Sequence, residues 1–402
     1  MRFRQSSNLR LYKYKSWAFI LLILVLANGR LLSKARDIGI PFEGNPGSLN
    51  AITDVSGVTV GHSTIVKGQG QLRVGKGPVR TGVTAIFPLG SITLTEPVFA
   101  GISALNGNGE VTGAAWVEES GFLEGPILIT NTHSVGMTHH SVISWRTRQA
   151  GPDSTGYWWS LPVVAETWDG HLNDINGFHV RERHVYEALE SARGGPVAEG
   201  NVGGGTGMVS YEFKGGIGTS SRIFKVEKEF YTVGVLVQAN CGRRGQLLIA
   251  GIPVGREISE YTFKKRSNPK PPQQNSSIII VIATDAPLLP HQLKRVARRA
   301  SLGLARTGST SANGSGDFFI AFSIKPIHKL KNSSLESADM VPNRLLNPLF
   351  TATVQATEEA IINALVAAET MEGRDNHRII ALPHKRLKEI LQKHNRLRPK
   401  QK

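Results

Sequence analysis

The sequence predicts an α/β fold with stacked β-sheets lying between helical layers, all within one domain. Three observations predict it. The runs YTVGVLVQANCG (231–242) and SIIIVIAT (277–284) are apolar on both faces, as strands are when covered from both sides. Amphipathic helical patterns alternate with the strands and must cover them, at 179–195, 291–308 and 357–373. The chain has 402 residues, 40% of them hydrophobic, and 43 glycines, which suits a loop-rich globular protein with a large core.

The chain opens on a targeting pattern. Arg2, Arg4, Arg10, Lys13 and Lys15 precede WAFILLILVLA (17–27), and no acid appears before Asp37. Eleven apolar residues are short for a spanning helix and suit a signal-peptide core. Val25-Leu26-Ala27 and Ser33-Lys34-Ala35 each offer a small-residue cleavage site. Residues 1–27 are read as a signal peptide, with an uncleaved anchor as the rival. Either places the folded part outside the cytoplasm, periplasmic or secreted, and anchored to the membrane if uncut. One cysteine, Cys241, excludes an intrachain disulfide and a cysteine-based metal site.

The formal charge of +16 is concentrated at the ends. Five positive charges lie in the leader, and the tail 384–402 carries eight Lys/Arg against Glu389. The body is left near +4, without the basic surface of a nucleic-acid binder. Leu387, Ile390 and Leu391 have helical spacing in the tail. That makes an amphipathic end helix, either simply solvated or giving weak contact with an anionic membrane surface, as the N-terminal segment could.

Between the ends, 52–65 and 82–90 read as strands with glycine punctuation. ISALNGNGEVTGAAWVEESG (102–121) follows, then a strand running into a polar corner at 126–136. A helix at 179–195 is stopped by paired glycines. Residues 200–222 form a glycine-dense loop region, ahead of the apolar strand that ends in Gln238 and Asn240. Segment 291–308 is a helix, 318–324 a strand, and 357–373 a long helix closed by Gly373.

The most informative junction is KKRSNPKPPQQNSSIIIVIATDAP (264–287). Prolines and charges from Lys264 to Ser276 make a surface linker, which meets a buried strand at Ser276-Ser277 with no turn between. A serine opening such a strand would become a rigid nucleophile if the bond before it broke. Its new α-amine, with a pKa near ~8, would be available as the base. Cleavage could come from Ser277 itself, through attack on the Ser276 carbonyl, an N→O acyl shift and hydrolysis of the ester. The plainer reading is that two serines start a strand, and other residues must decide.

Those residues lie in order along the chain: RDIGIPFEG, DVSGVTVGHST, GVTAIFP, SALNGNGE, ITNTHSVG, LPVVAETWDGHLNDING, GNVGGGTGM, KGGIGTSSR, VLVQANCG, SIIIVIATDAPLLPHQLKR, GLARTG, NGSGDFFIAFS and NALVAAETMEGRDNHR. From about Arg36 to Pro383 the chain resembles the DmpA-like aminopeptidases, which include D-aminopeptidases and β-peptidyl aminopeptidases. The resemblance implies a four-layer αββα sandwich, shared with ornithine acetyltransferases, in one peptidase domain (36–383). It implies self-cleavage at 276/277 into chains 28–276 and 277–402. It implies Ser277 as nucleophile, Ser315 and Asp317 as the group orienting it, Asn240 as the oxyanion donor, and Glu166 as the holder of the substrate's free amine. The substrate class would be a small peptide or amino-acid amide, no cofactor or metal would be needed, and processed chain pairs would assemble into a homo-oligomer.

Two positions depart from the family pattern. Ser276 stands where glycine is usual, which would slow or shift processing. Trp168 stands where some members carry a tyrosine that assists the oxyanion; an indole N–H donates but cannot shuttle a proton, so a pocket wall is the reading here. GNVGGGTG lacks the lysine of a phosphate loop and reads as a loop passing close to the site. His133, His139 and His140 lack metal-ligand spacing. Two other functions stay open: an acyltransferase related to ornithine acetyltransferase, and an unprocessed binding protein.

Overall fold

The computed structural model describes residues 34–90, 96–150, 159–258, 277–329 and 334–398. The leader 1–27, the linker 264–276 with Ser276, and the last residues of the tail lie outside the described residues. The main strands, in chain order, are β1 (Thr59–Lys67), β2 (Val79–Phe87), β3 (Val98–Gly107), β4 (Phe122–Leu123), β5 (Ile127–Asn131), β6 (Val163–Thr167), β7 (Gly216–Val226), β8 (Glu229–Asn240), β9 (Ser277–Thr284) and β10 (Gly316–Ser323). The covering helices are α1 (Val135–Ala150), α2 (Glu182–Glu190), α3 (Pro290–Arg306), α4 (Asn347–Ala367) and α5 (His384–Lys393).

These strands make two sheets. One has four strands in the order β1-β2-β5-β6, and the other six in the order β4-β3-β10-β9-β8-β7. Each holds a single parallel pair, β5–β6 and β9–β10, bridged by a helix (α1 and α3). Such a pair needs a crossover, which is why helices alternate with strands in the sequence.

Side-chain alternation shows how the layers stack. Ile279, Val281 and Ala283 of β9 share one apolar cluster with Ile127, Ile129, Val163 and Ala165 of the smaller sheet. Ile278, Ile280 and Ile282 point the other way, into a cluster with Leu293 and Val296 of α3 and Ala360 and Ile361 of α4. The far face of the smaller sheet, through Val83, Leu128 and Val164, packs on Val142 and Trp145 of α1 and Val185 of α2. The order is helices, sheet, sheet, helices: the predicted αββα sandwich. Five aliphatic side chains of β9, Ile278–Ile282, have no exposed surface. Their burial stabilises the strand by on the order of 10 kcal/mol and fixes where Ser277 begins.

Three element readings need correction. The stretch 200–222 is not wholly loop: β7 starts at Gly216. A Cβ at Gly218 would stand 2.1 Å from the Ala360 carbonyl oxygen, so this strand is glycine-rich because α4 lies directly on it. That helix starts at Asn347, ten residues earlier than expected, and ends at Ala367, short of Gly373. Pro348 occupies its first turn, where proline is tolerated, and the threonines after it mask the helical pattern. The first strand starts at Thr59 rather than near 52, which is a short 3-10 turn. In α5, the apolar side read at Leu387, Ile390 and Leu391 is fully covered by the core. Among the described residues no helix is long and apolar enough to cross a membrane.

Candidate active site

Ser277 is the first residue of β9 and sits between two strands. Its antiparallel partner on β8 is Asn240 and its parallel partner on β10 is Gly316. The register therefore brings Ser277 beside Asn240 and beside Gly316, whose chain neighbours Ser315 and Asp317 are the other two candidates, all from segments far apart in the chain. The alternation seen at Ile279 and Val281 turns the Ser277 side chain toward the layer between the sheets. It is 5% exposed, so the position is lined by protein yet touches solvent.

Asn240 is held at both ends of its amide. Its Oδ1 accepts from the Val209 N–H at 2.8 Å, and its Nδ2 donates to the Trp168 carbonyl oxygen at 2.9 Å. An amide nitrogen has two hydrogens, so this pair of anchors leaves one N–H for another acceptor. Trp168 thus reaches the site through its backbone. Its half-buried indole lies over Gly170, where a Cβ would stand 2.6 Å from the ring.

Gly316 is flanked by Ser315 and Asp317, both buried. The Ser315 Oγ donates to Asp317 Oδ1 at 2.6 Å, a contact in keeping with the pairing that the resemblance implies. Burial raises the pKa of Asp317. Hydrogen bonds from Ser315, Ser311, Asn106 and the Ile278 backbone oppose the rise. The acid therefore bears on the start of β9 one residue beyond Ser277. Asn106 and Asn108 close the loop ahead of this pair, donating to the carbonyls of Ser311 (2.7 Å) and Gly314 (2.9 Å).

Glu166 comes from the smaller sheet, near the end of β6. It is 4% exposed. Its Oε1 accepts from the Glu110 N–H at 3.1 Å, and its Oε2 accepts from the Thr132 hydroxyl. Both donors are neutral, so the carboxylate keeps its charge unmatched by a lysine or arginine in these contacts. Burial raises its pKa; the Thr132 and Glu110 hydrogen bonds and the nearby His133 act the other way. Gly109 links this acid to the strand ends. A Cβ there would meet Glu166 Oε1 at 2.8 Å, the Phe318 ring at 3.0 Å and Gly316 Cα at 3.6 Å. The absence of a side chain at 109 keeps open the space between Glu166 and the start of β10.

Sequence reasoning missed Thr132, Val209, Asn106 and Asn108. Thr132, Asn106 and Asn108 lie within motifs quoted above, but their roles depend on contacts between distant segments. The glycine-rich GNVGGGTG loop passes close to the site as expected, since Val209 follows it and anchors Asn240.

A serine opening a buried strand, an asparagine paired with it on the next strand and a buried glutamate on the facing sheet, on an αββα sandwich, fit a serine hydrolase of the N-terminal-nucleophile type. Residues 50–379 match the model of peptidase family S58, and the chain belongs to that family. It is 50% identical over 373 residues to the beta-peptidyl aminopeptidase BapA of Sphingosinicella microcystinivorans, covering 90% of this chain and 93% of that one. The structure of the L-aminopeptidase D-Ala-esterase/amidase of Ochrobactrum anthropi superposes with a TM-score of 0.83. It is 46% identical, with 90% of this chain and 99% of that chain covered. A Burkholderia sp. beta-aminopeptidase gives 0.79 at 45% identity, with 90% and 99% covered. The protein is a serine aminopeptidase.

Proposed function

We propose that the chain cleaves itself before Ser277 and that the freed Ser277 then removes N-terminal residues from short peptides, amides or esters. The observation that carries the reading is the register of β9. It sets Ser277 beside Asn240 on one strand and beside the Ser315–Gly316–Asp317 turn of chain on the other.

In processing, Ser277 Oγ bonds to the Ser276 carbonyl carbon. The Oγ proton passes to the departing nitrogen as the peptide C–N bond breaks, leaving an ester and a free α-amine. Water then hydrolyses the ester, releasing the N-terminal chain as a carboxylate and restoring the Ser277 hydroxyl. In turnover the neutral α-amine takes the Oγ proton as Oγ bonds to the substrate carbonyl carbon. The oxygen that becomes negative faces the remaining N–H of Asn240. The substrate C–N bond then breaks, and the leaving amine takes the proton from the α-ammonium. Water resolves the acyl-enzyme by the same relay. The Ser315–Asp317 pair orients the Ser277 terminus. Glu166 holds the substrate's ammonium, and a peptide lacking a free amine would leave that carboxylate buried and unpaired.

The names of the relatives support a β-amino acid as one accepted N-terminal residue. Assembly of processed pairs into a homo-oligomer, and export, belong to the same proposal. Ala35 is fully buried and its N–H donates to Asn363. That favours leader removal at Ala27, since a cut after Ala35 would break into the folded body. The test is intact mass of the wild type and of Ser277→Ala. A C-terminal fragment of residues 277–402 in the wild type alone supports the reading. Two folded, uncut proteins overturn it, and a fragment beginning at Ser276 moves the nucleophile by one.

A further inference from the structure

Lys214 is fully buried and takes no part in the chemistry above. Its Nζ donates to the carbonyl oxygens of Gly205 (3.2 Å), Met208 (2.9 Å) and Gly215 (2.8 Å). Three acceptors use all three hydrogens of an ammonium. Burying a charge is costly unless it is fully matched, and a methionine would fill similar space without that cost. The charge at 214 therefore has a purpose beyond packing.

The three carbonyls show what it holds. Gly205 and Met208 belong to the glycine turn that ends at Val209, the residue whose N–H fixes Asn240 Oδ1. The other anchor of Asn240 is the Trp168 carbonyl, and the next residue, Asp169, is also buried. Asp169 Oδ1 accepts from Asn173 Nδ2 at 3.0 Å. There is no room for a side chain at Gly207, where a Cβ would stand 2.9 Å from that of Asp169. A buried cation and a buried anion thus stand behind the two anchors of one asparagine.

We propose that Lys214, with Asp169 as its counter-charge, is the positioning residue for Asn240, tying down the 205–209 turn so that the second Nδ2–H stays aimed at the Ser277 site. The proposal rests on Asn240 being the oxyanion donor. Burial pushes the Lys214 ammonium down to about 7, with Asp169 opposing, and pushes Asp169 up to about 7. The other titratable groups on the elements around Lys214 are Tyr211 and Cys241, both raised by burial, and Glu212 beside Arg244. Arg80, whose carbonyl touches the same turn, directs its guanidinium to the Glu372 carbonyl.

The test compares pH profiles of kcat for the wild type and Asn240→Ala, normalised to the processed fraction, on a β-amino acid amide and an L-amino acid amide. In the wild type kcat falls on the alkaline side as Lys214 loses its proton, while KM holds. Asn240→Ala is about 100-fold slower and lacks that limb. A limb that persists in Asn240→Ala, or a flat wild-type profile, overturns the proposal. Asn240→Ala turning over at the wild-type rate overturns the oxyanion reading itself. Lys214→Met adds a second arm. Its kcat falls about tenfold or more at constant KM, and the loss does not recur in the Asn240→Ala background; additive losses refute the coupling. Should Lys214→Met fail to fold, the pH comparison decides alone.

Discussion

Asn240 and Ser277 are register partners across the antiparallel β8–β9 pair, although they lie 37 positions apart in the chain. Both strands are interior strands of a six-stranded sheet, each paired on both edges, with Ile278–Ile282 buried on both sides of it. Neither residue can shift without moving that core. A rigid sheet therefore sets the geometry between Ser277 and Asn240, which suits the proposed site, where the donor must meet a charge that appears only in the transition state.

The Ser315–Asp317 hydrogen bond of 2.6 Å makes the two act as a unit. Ser315→Ala and Asp317→Asn should each lower kcat by roughly 100-fold or more. The double variant should be no slower than the worse single one. Single-turnover rates on one amide substrate measure this, and independent, multiplying losses would count against a shared role.

Glu166 is raised by burial, so it loses its charge at a higher pH than an ordinary glutamate. Below that point it no longer attracts an ammonium, and KM for substrates with a free amine should climb as pH falls. Glu166→Gln should show a KM about 10- to 100-fold higher at neutral pH, the equivalent of about 1.4–2.8 kcal/mol, with no further rise on the acid side. Retained wild-type KM in the variant would remove Glu166 from substrate binding.

His62 tests stability instead of catalysis. Its Nδ1 bonds the Thr84 hydroxyl at 3.0 Å and its Nε2 is buried. Burial, then the Arg193 charge, lower its pKa from 6.5 to about 4. The unfolded chain takes up the proton first as pH falls, so the stabilisation is present above 6.5 and lost between 6.5 and 4. The loss is about 3 kcal/mol. His62→Gln should flatten that part of the stability profile, read from thermal midpoints. An unchanged acid slope would show that other groups set it.

The two-sided apolarity of 277–284 was readable because every residue of that strand is buried, which leaves no polar face to obscure the period. The hydroxyl on the linker–strand seam raised Ser277 as a candidate, and only the resemblance assigned it the nucleophile's role. Helix α4 was harder: its first turns carry proline and threonine, and the packing on α3 and β7 that supports them lies outside its own segment. Asn240 and Glu166 were reached through resemblance, since their partners, Val209, Trp168, Glu110 and Thr132, lie on other segments. Lys214 could not be read at all. A lysine beside paired glycines looks like exposed loop, and only the folded turn supplies the three carbonyls that bury it.

The strand that begins at Ser277 is hydrogen-bonded along both edges and covered on both faces. A cut ahead of it would leave two polypeptides held together by a shared interior, with no bond to rejoin them. Unfolding would then let the halves diffuse apart, and recovery would become a second-order encounter, slower with every dilution. The mature enzyme's lifetime would depend on the height of its unfolding barrier rather than on its equilibrium stability.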